Sequence, residues 1–189
     1  MLQLNLHRKN KFKKGFTLVE ALVSTAVFAV ALSSIIGSFL AVLRISAKSK
    51  AIRVVEQDAR FVSELLVREI RNGSLSYSAY SGGTIASPTQ TLHLVGSEGV
   101  AESIFLSGTS IALTKGGTTS NITSNKVLVS NMNFYIAPST NPFCVGCPDV
   151  QPRITFTFTL TSNINTRPTD QAKTVIQSTV SSRSYPEKL

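Results

Sequence analysis

Hydrophobic and polar positions divide the chain into three stretches. From Ala21 to Leu43 there are 23 consecutive uncharged residues, most of them apolar and spread over every side of a helix. At ~1.5 Å rise per residue they reach about 35 Å, enough for a bilayer core. Past Arg44 the pattern becomes amphipathic: Ile52, Val55, Ala59, Val62, Leu66 and Ile70 recur at steps of three or four, with Glu56, Arg60, Glu64 and Arg68 on other faces. The pairs Glu56/Arg60 and Glu64/Arg68 stand at i,i+4 in the favourable order, worth ~0.3 kcal/mol each. Asn72-Gly73 supplies a stop signal. One continuous helix is expected from about Phe16 to Arg71, with a second half that needs a sheet to cover its stripe.

After Gly73 the chain turns to Ser, Thr, Gly and Asn with short apolar runs, the pattern of an antiparallel sheet with many turns. Candidate strands are Thr91–Val95, Ser103–Leu106, Ser110–Thr114, Lys126–Ser130, Asn133–Ala137, Arg153–Thr161 and Lys173–Ser182. Ser107-Gly108-Thr109 closes one hairpin and Lys115-Gly116-Gly117 makes another turn. The clearest strand alternates strictly, placing Ile154, Phe156, Phe158 and Leu160 on the face expected to pack on the helical stripe. Ser74–Pro88 and Ser139–Gln151 read as surface loops. The fold class is therefore α+β: a long N-terminal helix packed on a C-terminal antiparallel sheet domain. The expected organisation is a leader (1–15), a spanning half of the helix (16–43), an amphipathic half (44–72) and a strand-rich globular part (73–189).

A net charge of +9 suggests an anionic partner only if it is spread over a folded surface. Arg8, Lys9, Lys11, Lys13 and Lys14 precede any acid, and removing residues 1–15 leaves 14 basic against 10 acidic side chains, a net +4. From Asn72 onward seven basic residues face five acidic ones, with no basic stripe, so nucleic-acid binding is weakly supported. The leader charges keep the N-terminus cytoplasmic and send residues beyond about 45 across the membrane, against competition from Arg44, Lys48, Lys50 and Arg53. A cleaved secretory signal has an apolar region of only ~7–15 residues, shorter than this run, and a simple signal anchor does not explain Glu20.

A carboxylate at the start of a spanning segment is costly unless paired, although a helix N-terminus relieves part of the cost. Cutting the bond after Gly15 would put a new α-amino group on Phe16, about one helical turn from Glu20. That amine could pair with the carboxylate of its own chain or of a neighbouring copy.

Lys13-Lys14-Gly15-Phe16-Thr17-Leu18-Val19-Glu20, running into an apolar helix, resembles the processing motif of type IV pilins and of the pseudopilins of type II secretion and competence systems. The resemblance covers about residues 8–43. It implies that a membrane-embedded prepilin peptidase cuts between Gly15 and Phe16 and methylates the new amine, and that Glu20 pairs with the N-terminus of an adjacent subunit. Partners implied are that peptidase, other pilin or pseudopilin subunits, membrane lipid and an inner-membrane assembly machine driven by a cytoplasmic ATPase. Implied too is a single pass with the C-terminal domain extracytoplasmic, then a filament at the cell surface or in the periplasm. Many pilins carry proline near mid-helix where this chain has Gly37-Ser38, which removes no hydrogen-bond donor. The end of the helix, Arg68-Glu69-Ile70-Arg71-Asn72, followed by a long strand-rich domain, is similar to the J-type minor pseudopilins and comparable minor pilins.

Cys144 and Cys147, between Pro142 and Pro148, supply only two metal ligands, with no second Cys pair or His cluster, so no metal site is expected. A local disulfide that fixes loop shape is favoured over a redox pair or free thiols. His7 lies in the leader and His93 on a presumed strand, neither in a recognised catalytic spacing. The chain reads as a substrate of one enzyme rather than a catalyst, with no cofactor. A minor filament subunit leads. A tip-displayed adhesin or DNA-binding minor pilin, and an anchored extracytoplasmic domain that never polymerises, stand as alternatives.

Overall fold

The computed structural model describes residues 15–96, 98–147, 150–164 and 167–183; the leader cations Arg8, Lys9, Lys11, Lys13 and Lys14, and His7, lie outside them. One helix, α1 (Leu18–Asn72), precedes strands β1 (Ser74–Leu75), β2 (Thr91–Val95), β3 (Ala101–Ser107), β4 (Ser110–Lys115), β5 (Thr118–Asn121), β6 (Val127–Ala137), β7 (Arg153–Ser162) and β8 (Lys173–Ser181). The strands form two antiparallel meanders, β1-β2-β3-β4-β5 and β6-β7-β8. The α+β architecture is as expected. The chain divides into two compact units with the boundary between Leu43 and Arg44.

In the second unit the helical stripe and the alternating strand share one core. Val55, Ala59, Val62, Leu66 and Ile70 of α1 are buried together with Ile154, Phe156, Phe158 and Leu160 of β7. Ala51 occupies the place expected for Ile52, which is 40% exposed. Residue 51 lies four before Val55 and holds the i,i+4 row, whereas residue 52 is rotated about 100° away. The i,i+4 charge pairs do not close. Among the described residues neither Glu56–Arg60 nor Glu64–Arg68 is an ion pair within 4.0 Å, and Arg68 instead turns to its neighbour Glu69 at 3.3 Å.

The helix stops at Asn72, but the reason for Gly73 is not a left-handed cap. A Cβ there would lie 3.0 Å from the Glu69 carbonyl oxygen and 3.1 Å from that of Val95, so glycine serves the close approach of β2 to the helix end. Both predicted turns form as two-residue hairpins, with Ser107 opposite Ser110 and Lys115 opposite Thr118. Gly108, Gly116 and Gly117 all adopt the left-handed φ such turns require.

Two expected strands, Lys126–Ser130 and Asn133–Ala137, are one strand with a bulge. Ser130 pairs with Thr159 and Asn133 with Thr157, so Asn131 and Met132 together oppose Phe158. Asn131 takes φ 55°, a conformation Asn tolerates better than most residues. The extra residue switches parity: Val127 and Val129 point inward before it, Met132, Phe134 and Ile136 after it. Strands β1 and β5 were not anticipated. The two segments read as surface loops carry buried anchors, Leu75, Tyr77 and Ile85 in the first and Phe143 in the second. The Tyr77 hydroxyl ties the first to the residue just before the second by donating to the Pro138 carbonyl at 3.0 Å, and burial pushes its pKa up to about 12.

Candidate processing and assembly site

Helix α1 begins where Thr17 caps it. The Glu20 backbone N–H donates to Thr17 Oγ1 at 3.2 Å, and the Ala21 N–H donates to the Thr17 carbonyl at 3.1 Å. Thr17-Leu18-Val19-Glu20 thus has the capping-box spacing, with Glu20 at the third helical position. Thr17 was missed as a functional position, although that spacing was legible. Among the described residues the carboxylate of Glu20 makes no ion pair, and it does not return a hydrogen bond to Thr17. It is exposed close to the positive end of the helix dipole, a favourable place for an anion.

The rest of the apolar run has no such free group. All five hydroxyls between Ala21 and Leu43 bond back to their own helix: Ser24 to Glu20 O, Thr25 to Ala21 and Leu22 O, Ser33 to Ala29 O, Ser34 to Val30 O and Ser38 to Ser34 O. Polar groups in hydrocarbon must be satisfied internally, and here every hydroxyl is. The helix continues without interruption through Gly37-Ser38. Its side chains from Phe16 to Ile45 are exposed, and it is long and apolar enough to cross a membrane once.

Gly15 has open space where a Cβ would stand and is not in a left-handed conformation. Among the described residues nothing therefore demands glycine at that position, in contrast to Gly73. Phe16 is exposed beside it.

The other predicted positions lie elsewhere. Cys144 and Cys147 are joined in a disulfide with Cα atoms 5.2 Å apart, and Cys147 N–H also donates to the Cys144 carbonyl at 3.0 Å. The tight ring leaves Val145 exposed at its tip. Among the described residues no group of three or more His, Cys, Asp or Glu side chains is placed to hold a metal. His93 packs edge-on against Tyr80, centroids 5.0 Å apart, and burial lowers its pKa. The Tyr80 hydroxyl accepts from the His93 backbone N–H at 3.0 Å and donates to the Thr91 carbonyl at 3.2 Å, so this pair staples the 77–80 segment onto β2.

One buried charge went unforeseen. Glu102 on β3 points inward, its side chain 1% exposed, with one oxygen 2.7 Å from Lys115 Nζ and the other without a hydrogen-bond partner. A Cβ on Gly96 would lie 2.5 Å from Oε1, so glycine there leaves room for the carboxylate. The pairing raises the Lys115 pKa, chiefly through the hydrogen bond to Glu102. Strict alternation with Ile104 was the available signal, and it conflicted with the expectation that acids face water.

Helix start, free acid and membrane-length run meet where the comparison with known families falls. Residues 10–36 match the family described as the prokaryotic N-terminal methylation motif. The match covers 27 of the 189 residues and shows that this N-terminal segment carries such a motif, the processing segment that resembles those of type IV pilins and pseudopilins. The motif points to a structural role rather than an enzymatic one. Comparison of the chain with curated proteins and with solved structures found no match.

Proposed function

We propose that this protein is a minor subunit, initiating or tip-located, of a type IV pilus-like or type II secretion or competence pseudopilus filament. In this reading residues 1–15 are a cytoplasmic leader, 16–43 span the membrane and later bundle with neighbouring helices, 44–72 form the amphipathic half, and 73–189 form an extracytoplasmic domain. Cleavage between Gly15 and Phe16 discards Arg8, Lys9, Lys11, Lys13 and Lys14 and creates the amine that is methylated. Glu20 then pairs with the Phe16 amine of the adjacent subunit, and an inner-membrane machine extracts the chain from lipid into the filament.

The observation that carries the reading is the contrast within the apolar run: each hydroxyl is satisfied by its own helix, whereas the Glu20 carboxylate has no ion-pair partner among the described residues. An unpartnered acid in a spanning segment calls for a partner from another chain. Gly15, which no contact among the described residues requires, fits the same reading, because an extended backbone without a Cβ suits entry to a protease site. Mass spectrometry of the native protein is expected to find a chain beginning at methylated Phe16; retention of residues 1–15 sinks the proposal. Glu20→Ala is expected to leave membrane insertion intact and to abolish filament incorporation, and unchanged incorporation removes the intersubunit pairing.

A further inference from the structure

The three-stranded sheet has a core face and an outer face, and one end of the outer face is rich in hydrogen-bond donors, several of them unpartnered among the described residues. Ile154, Phe156, Phe158 and Leu160 point into the core, so Arg153 and Thr155 project from the other side of β7. Register puts Tyr135 of β6 and Thr179 of β8 on either side of Thr155, giving a row across all three strands. The segment before Thr89 is drawn over the end of this row. Thr89 exchanges backbone hydrogen bonds with Phe134, and the Ile85 N–H donates to the Ser139 carbonyl, which brings Ser87 to the rim. Ser87, Tyr135, Arg153, Thr155 and Thr179 line one surface cleft of about 260 Å³.

Its chemistry is one-sided. Among the described residues Arg153 meets no carboxylate within 4.0 Å, and the Tyr135 phenol and Ser87 hydroxyl have no hydrogen-bond partner. Thr155 and Thr179 bond to each other, Oγ1 to Oγ1 at 2.8 Å, which orders both hydroxyls and leaves one proton to donate outward. A guanidinium supplies forked donors matched to a carboxylate. The Tyr135 ring, 42% exposed, offers a flat apolar face beside it. Ordered hydroxyls, an aromatic face and a guanidinium that meets no described carboxylate together suit a ligand that carries many hydroxyls and a single carboxylate.

We propose that this cleft binds a uronate, the acidic sugar unit of anionic polysaccharides, with its carboxylate on Arg153, its ring against Tyr135 and its hydroxyls on Ser87 and the Thr155–Thr179 pair. The inference is independent of the filament reading, since it uses only the outer face of β6, β7 and β8.

The test is a titration of the full chain in polyoxyethylene detergent, whose headgroup carries no sugar, following the backbone amide shifts of Tyr135, Arg153, Thr155 and Thr179. Glucuronate is the probe, with glucose as the neutral ring and acetate as the bare carboxylate. Saturable shifts confined to the cleft are expected with glucuronate, at an affinity at least about tenfold above both controls. Arg153→Gln is expected to weaken glucuronate by about tenfold or more, Arg153→Lys to recover part of it, and Tyr135→Phe to cost less than Arg153→Gln. Unchanged amide shifts outside the cleft verify that each variant is folded. Glucuronate binding no tighter than acetate, no saturable shift, or binding that survives Arg153→Gln overturns the proposal.

Discussion

The two halves of α1 are made from the same helical backbone and meet opposite fates. From Phe16 to Ile45 every side chain is exposed, large hydrophobics included. From Ala51 to Ile70 one residue per turn disappears into the core of the second unit. The first half has its hydroxyls closed on itself and lacks only an apolar solvent, while the second half has its cover supplied by the same chain. Apolar residues in the first half have no cover from the described chain, and those in the second are covered by β7 and its neighbours. The Glu20 carboxylate, which makes no ion pair among the described residues, belongs to the exposed half.

The largest way to break this contrast is at the centre of the shared core. Phe158→Ala removes a fully buried ring and is expected to cost about 3–5 kcal/mol in denaturant unfolding of the second unit. Val27→Ala, equally apolar but exposed, is expected to leave that transition unmoved. A shift from Val27→Ala comparable to that from Phe158→Ala would erase the distinction between the halves.

A smaller effect tests the start of the helix. Thr17→Ala removes the cap and is expected to cost about 1 kcal/mol locally. It should appear as faster amide exchange at Glu20, with no change in unfolding of the second unit, and Thr17→Ser should restore protection. Equal exchange in Thr17→Ala and the parent would rule out the cap.

The smallest effect is electrostatic and confined to the second unit. Burial holds the His93 pKa below its unfolded value of 6.5, so its contribution is present above pH 6.5 and lost as pH falls toward the folded pKa. A gentle loss of stability on acidification is expected, flattened by His93→Phe, which keeps the ring contact with Tyr80. Urea midpoints between pH 5 and 8 measure it, and an unaltered pH slope in the variant would remove His93 as its source.

What could be read in advance follows how local the governing physics is. The strand from Arg153 alternates with period two, and β2 lies at the residues expected, because a half-buried pleated surface imposes that alternation directly. The bulge in β6 was legible in part, since inward positions pass from odd, at Val129, to even, at Met132, across Ser130-Asn131. Reading that switch as a bulge rather than a break required knowing that both halves pair with β7. Strand β1 is two residues long and β5 is exposed throughout, so neither has a hydrophobic period to detect. At the candidate site the Gly15-Phe16 motif and Glu20 were visible as chemistry, and Thr17 as spacing. The donor-lined cleft was not visible, because Ser87, Tyr135, Arg153 and Thr179 are distant in sequence and meet only through register.

By itself the sequence determined the membrane-length run, the processing motif, the amphipathic stripe and the α+β class, each written in residues close together along the chain. Tertiary structure alone decided that Ala51 rather than Ile52 enters the core, that Gly73 is needed for a passing strand, and that Glu102 lies buried against Lys115. Those outcomes depend on which surfaces are brought within a few ångströms, and local periodicity carries no record of that.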